Sequence, residues 1–305
     1  MSTASIPTSG APAWEITESR TADVGGVVVR RALPRRGRRT VGAWCFADHM
    51  GPTSGSRGLN IGPHPHIGLQ TVTWLFEGEV LHRDSLGSEQ PIRPGQLNLM
   101  TAGRGVSHAE ETSSASAPPV HGMQLWVAQP SSTRDGDPAF EHQSELPAVE
   151  LAGCRGTVLV GSLAGVRSPA RADSDHFGAD LVLEGETTVP VAIDHEHALV
   201  VASGRVRLGT SVVEPGHLAY LGRGRDELHL EVVAPARALL LGGSPFPEEV
   251  MMWWNYVARS TREITQAHRD WSTRSGRFGR VVSALAPIDV DPPPWDDEVT
   301  PGSRP

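Results

Sequence analysis

Gly62-Pro63-His64-Pro65-His66-Ile67-Gly68 decides the reading of this chain. Two histidines stand at i and i+2. Pro65 between them has a fixed φ and no N–H, which stiffens the pair. On an extended strand, residues i and i+2 project to the same face. Further on, Thr101-Ala102-Gly103-Arg104-Gly105-Val106-Ser107-His108-Ala109-Glu110 repeats that spacing with one histidine and one carboxylate. Strand-like sequence and a turn at Pro94-Gly95 separate the two pairs. On neighbouring strands of a barrel, three imidazoles and one carboxylate would then aim at one point. The set His64, His66, His108 and Glu110 has no thiolate and leaves coordination positions open. It therefore suits a reactive metal better than a closed structural zinc. Iron, manganese, cobalt, nickel, copper and zinc all accept such donors.

Most of the remaining texture is β. Gly26–Val29, Leu69–Phe76, Leu97–Met100, Met123–Val127 and Thr157–Val160 are short apolar or alternating runs. Ala198–Val201, Leu218–Leu221, Leu228–Val233 and Ala238–Leu241 are others, bounded by Gly, Pro or Asp. Glu77-Gly78-Glu79-Val80 followed by Pro94-Gly95 is echoed by Ser203-Gly204-Arg205-Val206 followed by Pro215-Gly216. The echo predicts an all-β chain (mainly β with a C-terminal helix) built as two tandem β-barrels or jelly rolls. The expected organisation is a flexible tail over 1–13, a metal-binding domain over 14–135, a second domain over 136–285 and a flexible tail over 286–305. Pro247 to Ala258 begins with Pro and two acids, as a first helical turn prefers, and predicts a helix. Thr261 to Ser272 places Ile264, Ala267, His268 and Trp271 at helical spacing and predicts a second.

In the second half Asp194-His195-Glu196-His197 resembles the first ligand pair, but Tyr220 to Glu227 offers no His-x-Glu to complete it. A metal-free second barrel is expected. Trp74 and Trp126 could wall a pocket or fill a core.

The chain has 305 residues and a net charge of −8. That balance argues against general nucleic-acid binding. Arg30 to Arg39 is a local exception, with six arginines in ten residues. Pro34 and Gly37 within it favour a solvated hairpin tip over a phosphate patch. Two cysteines, Cys45 and Cys154, do not make a disulfide framework, and a reducing cytoplasm is expected. No apolar run is long enough to span a membrane.

A family resemblance rests on Asp48-His49-Met50-Gly51-Pro52, His64 through Leu75, His82-Arg83-Asp84-Ser85-Leu86-Gly87 and Met100 through Glu110. It continues through Gln124-Leu125-Trp126-Val127, Gly242 through Glu249 and Gly276-Arg277-Phe278-Gly279. The chain resembles the pirins, bicupins of the cupin superfamily. The resemblance implies two cupin domains and one metal, most often Fe(II), held by His64, His66, His108 and Glu110 in the first. The wider cupin pattern expects a Glu where Gln70 stands, so Gln70 is left out of the ligand set. His49, His82 and His121 are read as structural.

Some pirins resemble quercetinases, which cleave flavonols with O2. The resemblance thus implies a quercetin 2,3-dioxygenase in which Glu110 accepts the 3-hydroxyl proton. It equally implies a non-enzymatic, iron-dependent regulator that binds a transcription factor or a metabolic enzyme. Partners would be a flavonol and O2 in the first case and a protein in the second. A monomer is expected, with no membrane and no direct nucleic-acid contact.

Overall fold

A computed structural model describes residues 14–24, 27–52, 59–112 and 119–296. The tails expected over 1–13 and 297–305, and Gly26 of the first expected strand, lie outside them.

Two sheets face each other in the N-terminal jelly roll. The larger orders its strands as Ala139–Gln143, Leu97–Thr101, Leu69–Glu77, His121–Ala128, Trp44–Met50, Val27–Leu33 and Arg20–Val24. The smaller runs Asn60–His66, Val106–Glu111, Val80–Asp84, Glu89–Ile92. The second jelly roll is one sheet folded over itself. Its long strands Glu196–Leu208 and Glu227–Gly243 pair through repeated register shifts, and such bulges bend a sheet. Neither domain is a closed barrel. Each strand expected from the sequence falls on an observed strand among the described residues, except that Leu228–Val233 and Ala238–Leu241, expected as two, are parts of the single strand Glu227–Gly243.

The Leu69–Glu77 strand shows why the two domains stay together. It is buried along all but its last residue. Val72, Trp74 and Phe76 join a core cluster with Leu159, Val160, Ala198, Val200, Leu239 and Leu241 of the second domain. Thr73, on the alternate face, reaches Glu110. Trp74 is therefore interdomain core, and its indole N–H donates to Asp180 at 2.9 Å. Trp44 likewise donates to the Phe177 carbonyl at 2.9 Å. Burial of this apolar area at about 25 cal/mol per Å² favours one cooperative body.

Two strands cross the boundary placed at 135/136. Ala139–Gln143 pairs with Leu97–Thr101 of the first domain. Glu15–Glu18 pairs with His217–Gly222 of the second. Pattern reading along the chain cannot see such exchanges, because edge pairing is a long-range choice.

The helix expected over Pro247–Ala258 is not formed. Met251–Trp253 and Tyr256–Ala258 make a hairpin instead, with Trp254 in the left-handed region at φ 52°. Glu248 receives the Ser131 N–H and hydroxyl and the Arg259 guanidinium rather than capping a helix. Tyr256 is fully buried and bridges to Ile67, while the Val257 N–H donates to the Ile67 carbonyl at 3.1 Å. Aromatic and β-branched residues gain more here from packing than helical propensity offers. The second helix forms over Thr261–Ser272, capped by Ser260, and buries Ile264, Ala267, His268 and Trp271.

Residues 286–296, expected as flexible tail, are anchored. Ile288 N–H donates to the Pro63 carbonyl at 2.8 Å, and Trp271 donates to the Ile288 carbonyl at 2.9 Å. Trp295 donates to Thr265 at 3.2 Å. A few apolar anchors between prolines hold this segment, and they carry no periodic signal.

Candidate metal centre

Strand pairing creates the site. The Val106–Glu111 strand lies between Asn60–His66 and Val80–Asp84, placing His108 opposite His64 on one side and Asp84 on the other. His64, His66 and His108 are buried, and a ring nitrogen of each lies within 4.8 Å of the others. A register shift between His108 and Glu110 sets Glu110 opposite Ile61.

These four residues line one cavity of about 450 Å³. Phe46 and Trp126, stacked with centroids 4.0 Å apart, wall it together with Trp254 and Ile288. A pocket of this size and aromatic character suits a small organic molecule. Glu110 faces the same space but stands outside the tight imidazole group. The Thr73 hydroxyl lies 3.4 Å from its carboxyl. Thr73 lies closer to Gln124, at 2.9 Å. One hydroxyl proton serves only one of these acceptors, and the shorter contact takes it. A protonated Glu110 can then donate to Thr73. Burial pushes the Glu110 carboxyl up to about 7.

Hydrogen bonds fix the tautomers of the three imidazoles. A carbonyl oxygen only accepts, so His64 Nδ1, 2.9 Å from the Gly62 carbonyl, carries its proton there. By the same reasoning His66 Nδ1 donates to the Asn255 carbonyl at 3.0 Å. Asp84 accepts from His82 Nε2 at 3.1 Å and from the backbone N–H groups of Leu86 and Ser88. Those donors hold the Asp84 carboxyl below its ordinary range despite burial. His82 Nδ1 is thereby left as an acceptor for His108 Nδ1–H at 3.3 Å. All three Nε2 atoms consequently present lone pairs. Two of them, on His66 and His108, lie 3.0 Å apart with no proton to share.

Two facing lone pairs repel unless a cation lies between them. That electronic mismatch is the observation that fits a metal here, because ligating histidines are neutral, with the second nitrogen tied back to carbonyl or carboxylate. Burial lowers His64 to about 4 and holds His66 and His108 well below their ordinary value, so the rings are neutral at physiological pH.

The other histidines and Gln70 have different surroundings. Gln70 donates to Thr101 at 3.0 Å and does not line the cavity. His49 and His121 pair with each other, ring nitrogens 2.9 Å apart. In the second domain His195 binds Asp175 at 3.0 Å, and His197 faces the Gly222 carbonyl at 3.3 Å. Glu196 accepts from the Gly42 N–H and the Tyr220 hydroxyl. Sequence reading passed over Asn255, Asp84 and the link from His82 to His108. The i, i+2 pair His82-x-Asp84 was a legible signal; the Asn255 carbonyl, 189 residues from His66, was not.

Residues 26–127 match the pirin family model, and residues 178–279 match that of the pirin C-terminal cupin domain. The chain is 46% identical over 283 residues to a Pseudomonas aeruginosa protein named as a candidate quercetin 2,3-dioxygenase. That match covers 91% of this chain and 90% of the relative. Human pirin is 30% identical over 266 residues, 84% of this chain and 90% of that one. The crystal structure of a quercetin 2,3-dioxygenase from Acinetobacter baumannii superposes with a TM-score of 0.89 at 39% identity. It covers 92% of this chain and 96% of its own.

Proposed function

This chain belongs to the pirin family, and from that premise we propose that it is an iron-dependent dioxygenase of flavonols. His64, His66, His108 and Glu110 are its ligand set in this reading. The observation that carries it is the convergence of three buried imidazoles, a ring nitrogen of each within 4.8 Å of the others, on an aromatic-walled cavity that also holds a carboxyl raised to about 7. The dioxygenase names of the relatives support the substrate class.

A bound divalent metal would supply a Lewis acid that lowers the pKa of a ligated hydroxyl. The chain's own residues do the rest. Glu110 accepts the 3-hydroxyl proton at a carboxylate oxygen, where a pKa near working pH is most effective. Thr73, whose own hydroxyl proton goes to Gln124, lies beside that carboxyl and receives its hydrogen bond once it is protonated. Phe46, Trp126 and Trp254 flank the planar substrate and exclude water. Asp84 and His82 fix the orientation of His108.

Iron-loaded protein should consume O2 and bleach the near-UV and visible band of quercetin. Absence of turnover with iron, copper, manganese, cobalt and nickel across several flavonols would sink the enzymatic reading. The second reading is an iron-dependent regulator using the same metal site. Human pirin, similar over most of both chains, supports it. Capture of a defined partner that depends on Fe(II) against Fe(III), with no turnover, would favour it.

A further inference from the structure

Beside the metal cavity lies a larger groove of about 750 Å³ lined by Arg20, Arg31, Arg35, Arg36 and Arg39. Glu18 is the one acid lining it among the described residues. In a chain of net charge −8 this is a concentrated reversal of sign. Arg31 is neutralised by Asp48, which it grips with two hydrogen bonds of 2.8 and 2.7 Å. The other arginines are held differently. Arg20 donates to the Pro34 carbonyl, Arg35 to the Glu18 carbonyl and Arg39 to the Val250 carbonyl. A carbonyl orients a guanidinium without cancelling its charge, and each guanidinium keeps further N–H donors. Arg36 stands at the exposed tip of a two-residue turn closed by reciprocal hydrogen bonds of 3.0 Å between Arg35 and Arg38. Gly37, at φ 82°, supplies the left-handed residue that this tight turn requires. The tip is therefore preorganised rather than a loose basic loop.

We propose that this groove is an anion site for a compact phosphorylated ligand carrying a diphosphate or two closely spaced phosphates. Guanidinium forks match phosphate oxygens bidentately. Pro34 and Met252 give the groove an apolar flank, which suits an organic moiety attached to the phosphates. Its position also ties it to the metal cavity. Arg31 lines both spaces, and the Met251–Ala258 hairpin gives Met252 to the groove and Trp254 and Asn255 to the cavity. Arg39 grips the carbonyl immediately before that hairpin.

The test is isothermal titration of the full chain, as isolated, with inorganic pyrophosphate at physiological and raised salt. Saturable binding is expected, and it should weaken as salt screens the groove. Arg36→Ala should weaken it by about tenfold, the usual order for one lost charge-assisted contact. The double variant Arg36→Glu/Arg39→Glu should abolish it. Arg20→Ala, on another strand, should also weaken it, so the result does not hang on the fold of one turn. Circular dichroism melts should match the parent in each variant. Pyrophosphate also binds metals, so His64→Ala is the decisive control. Binding retained in His64→Ala but lost in the arginine variants supports the groove. Binding lost in His64→Ala and spared in Arg36→Glu/Arg39→Glu overturns it, as does no binding at millimolar pyrophosphate. The proposal stands apart from the dioxygenase reading, because the titration measures neither turnover nor metal.

Discussion

In the N-terminal jelly roll, Asn60–His66 and Val106–Glu111 turn three imidazoles and a carboxyl into a cavity. In the C-terminal one, Glu196–Leu208 turns Leu199, Val201 and Val206 into an apolar core with Leu181, Leu228, Leu230 and Leu240. The strand plan is related; the filling is not. Buried imidazoles with lowered proton affinity and two lone pairs in contact are unfavourable without a ligand. Aliphatic filling is favourable by itself. The difference teaches a division of labour, in which the second domain is filled by apolar side chains while the first tolerates a polar interior on one side of the core that both domains share. The pairing of Leu69–Glu77 with both domains' cores lets one compensate the other.

The strongest test of that division is removal of a ligand from each side. His64→Ala and His108→Ala should each abolish metal loading, read as metal per chain by elemental analysis. His195→Ala, at the similar His-x-His of the second domain, should leave loading unchanged. Stoichiometric metal in both N-terminal variants would break the comparison. The reciprocal test is Leu240→Ala, which should lower thermal stability by about 2–5 kcal/mol through cavity formation. Metal per chain should stay at the parent value, and loss of metal would show that the second domain shapes the site.

A subtler test concerns what orients the ligands. Asp84→Asn keeps size and removes the charge that fixes the His82 tautomer. Metal affinity should fall by about 10–100-fold, the usual cost of losing such an outer partner. Competition with a chromogenic chelator reads this directly. An unchanged affinity would mean that His108 is oriented by the strand alone. In the second domain His197 meets the Gly222 carbonyl at 3.3 Å where His108 meets His82.

The contrast between domains was legible in the sequence where it depends on local pattern. His-x-His and His-x-Glu with a Pro-Gly turn between them pointed to convergence of the histidines, since strand alternation and short turns are local rules. The missing His-x-Glu after Tyr220 marked the second domain as different. What escaped were long-range choices. Asn255 reaches His66 only because the segment after Pro247 becomes a hairpin, which its own residues argued against. Ile288 enters the cavity wall from a segment without periodicity. The exchanged edge strands depend on pairing energies that no short window contains.

The smallest expected effect is the pH dependence of metal affinity, and it bears on the fourth ligand. Histidines ordinarily titrate near 6.5, so a site of free histidines would lose metal steeply on mild acidification as each ligand gained a proton. Here burial keeps His64 neutral to about 4 and His66 and His108 neutral well below their ordinary value. They have no proton to release on binding between pH 5 and 6.5. Glu110 behaves oppositely: burial raises its carboxyl to about 7, so below that pH it is protonated. Ligation through a carboxylate then requires loss of one proton. Affinity should therefore fall about tenfold per pH unit in this window, a slope of one proton. A flat profile would leave three imidazoles as the whole ligand set and give Glu110 a proton-accepting role alone. A slope of three would show that the imidazoles titrate as exposed groups do. The N-terminal interior would then be no drier than a surface site, and the contrast with the apolar second domain would fail.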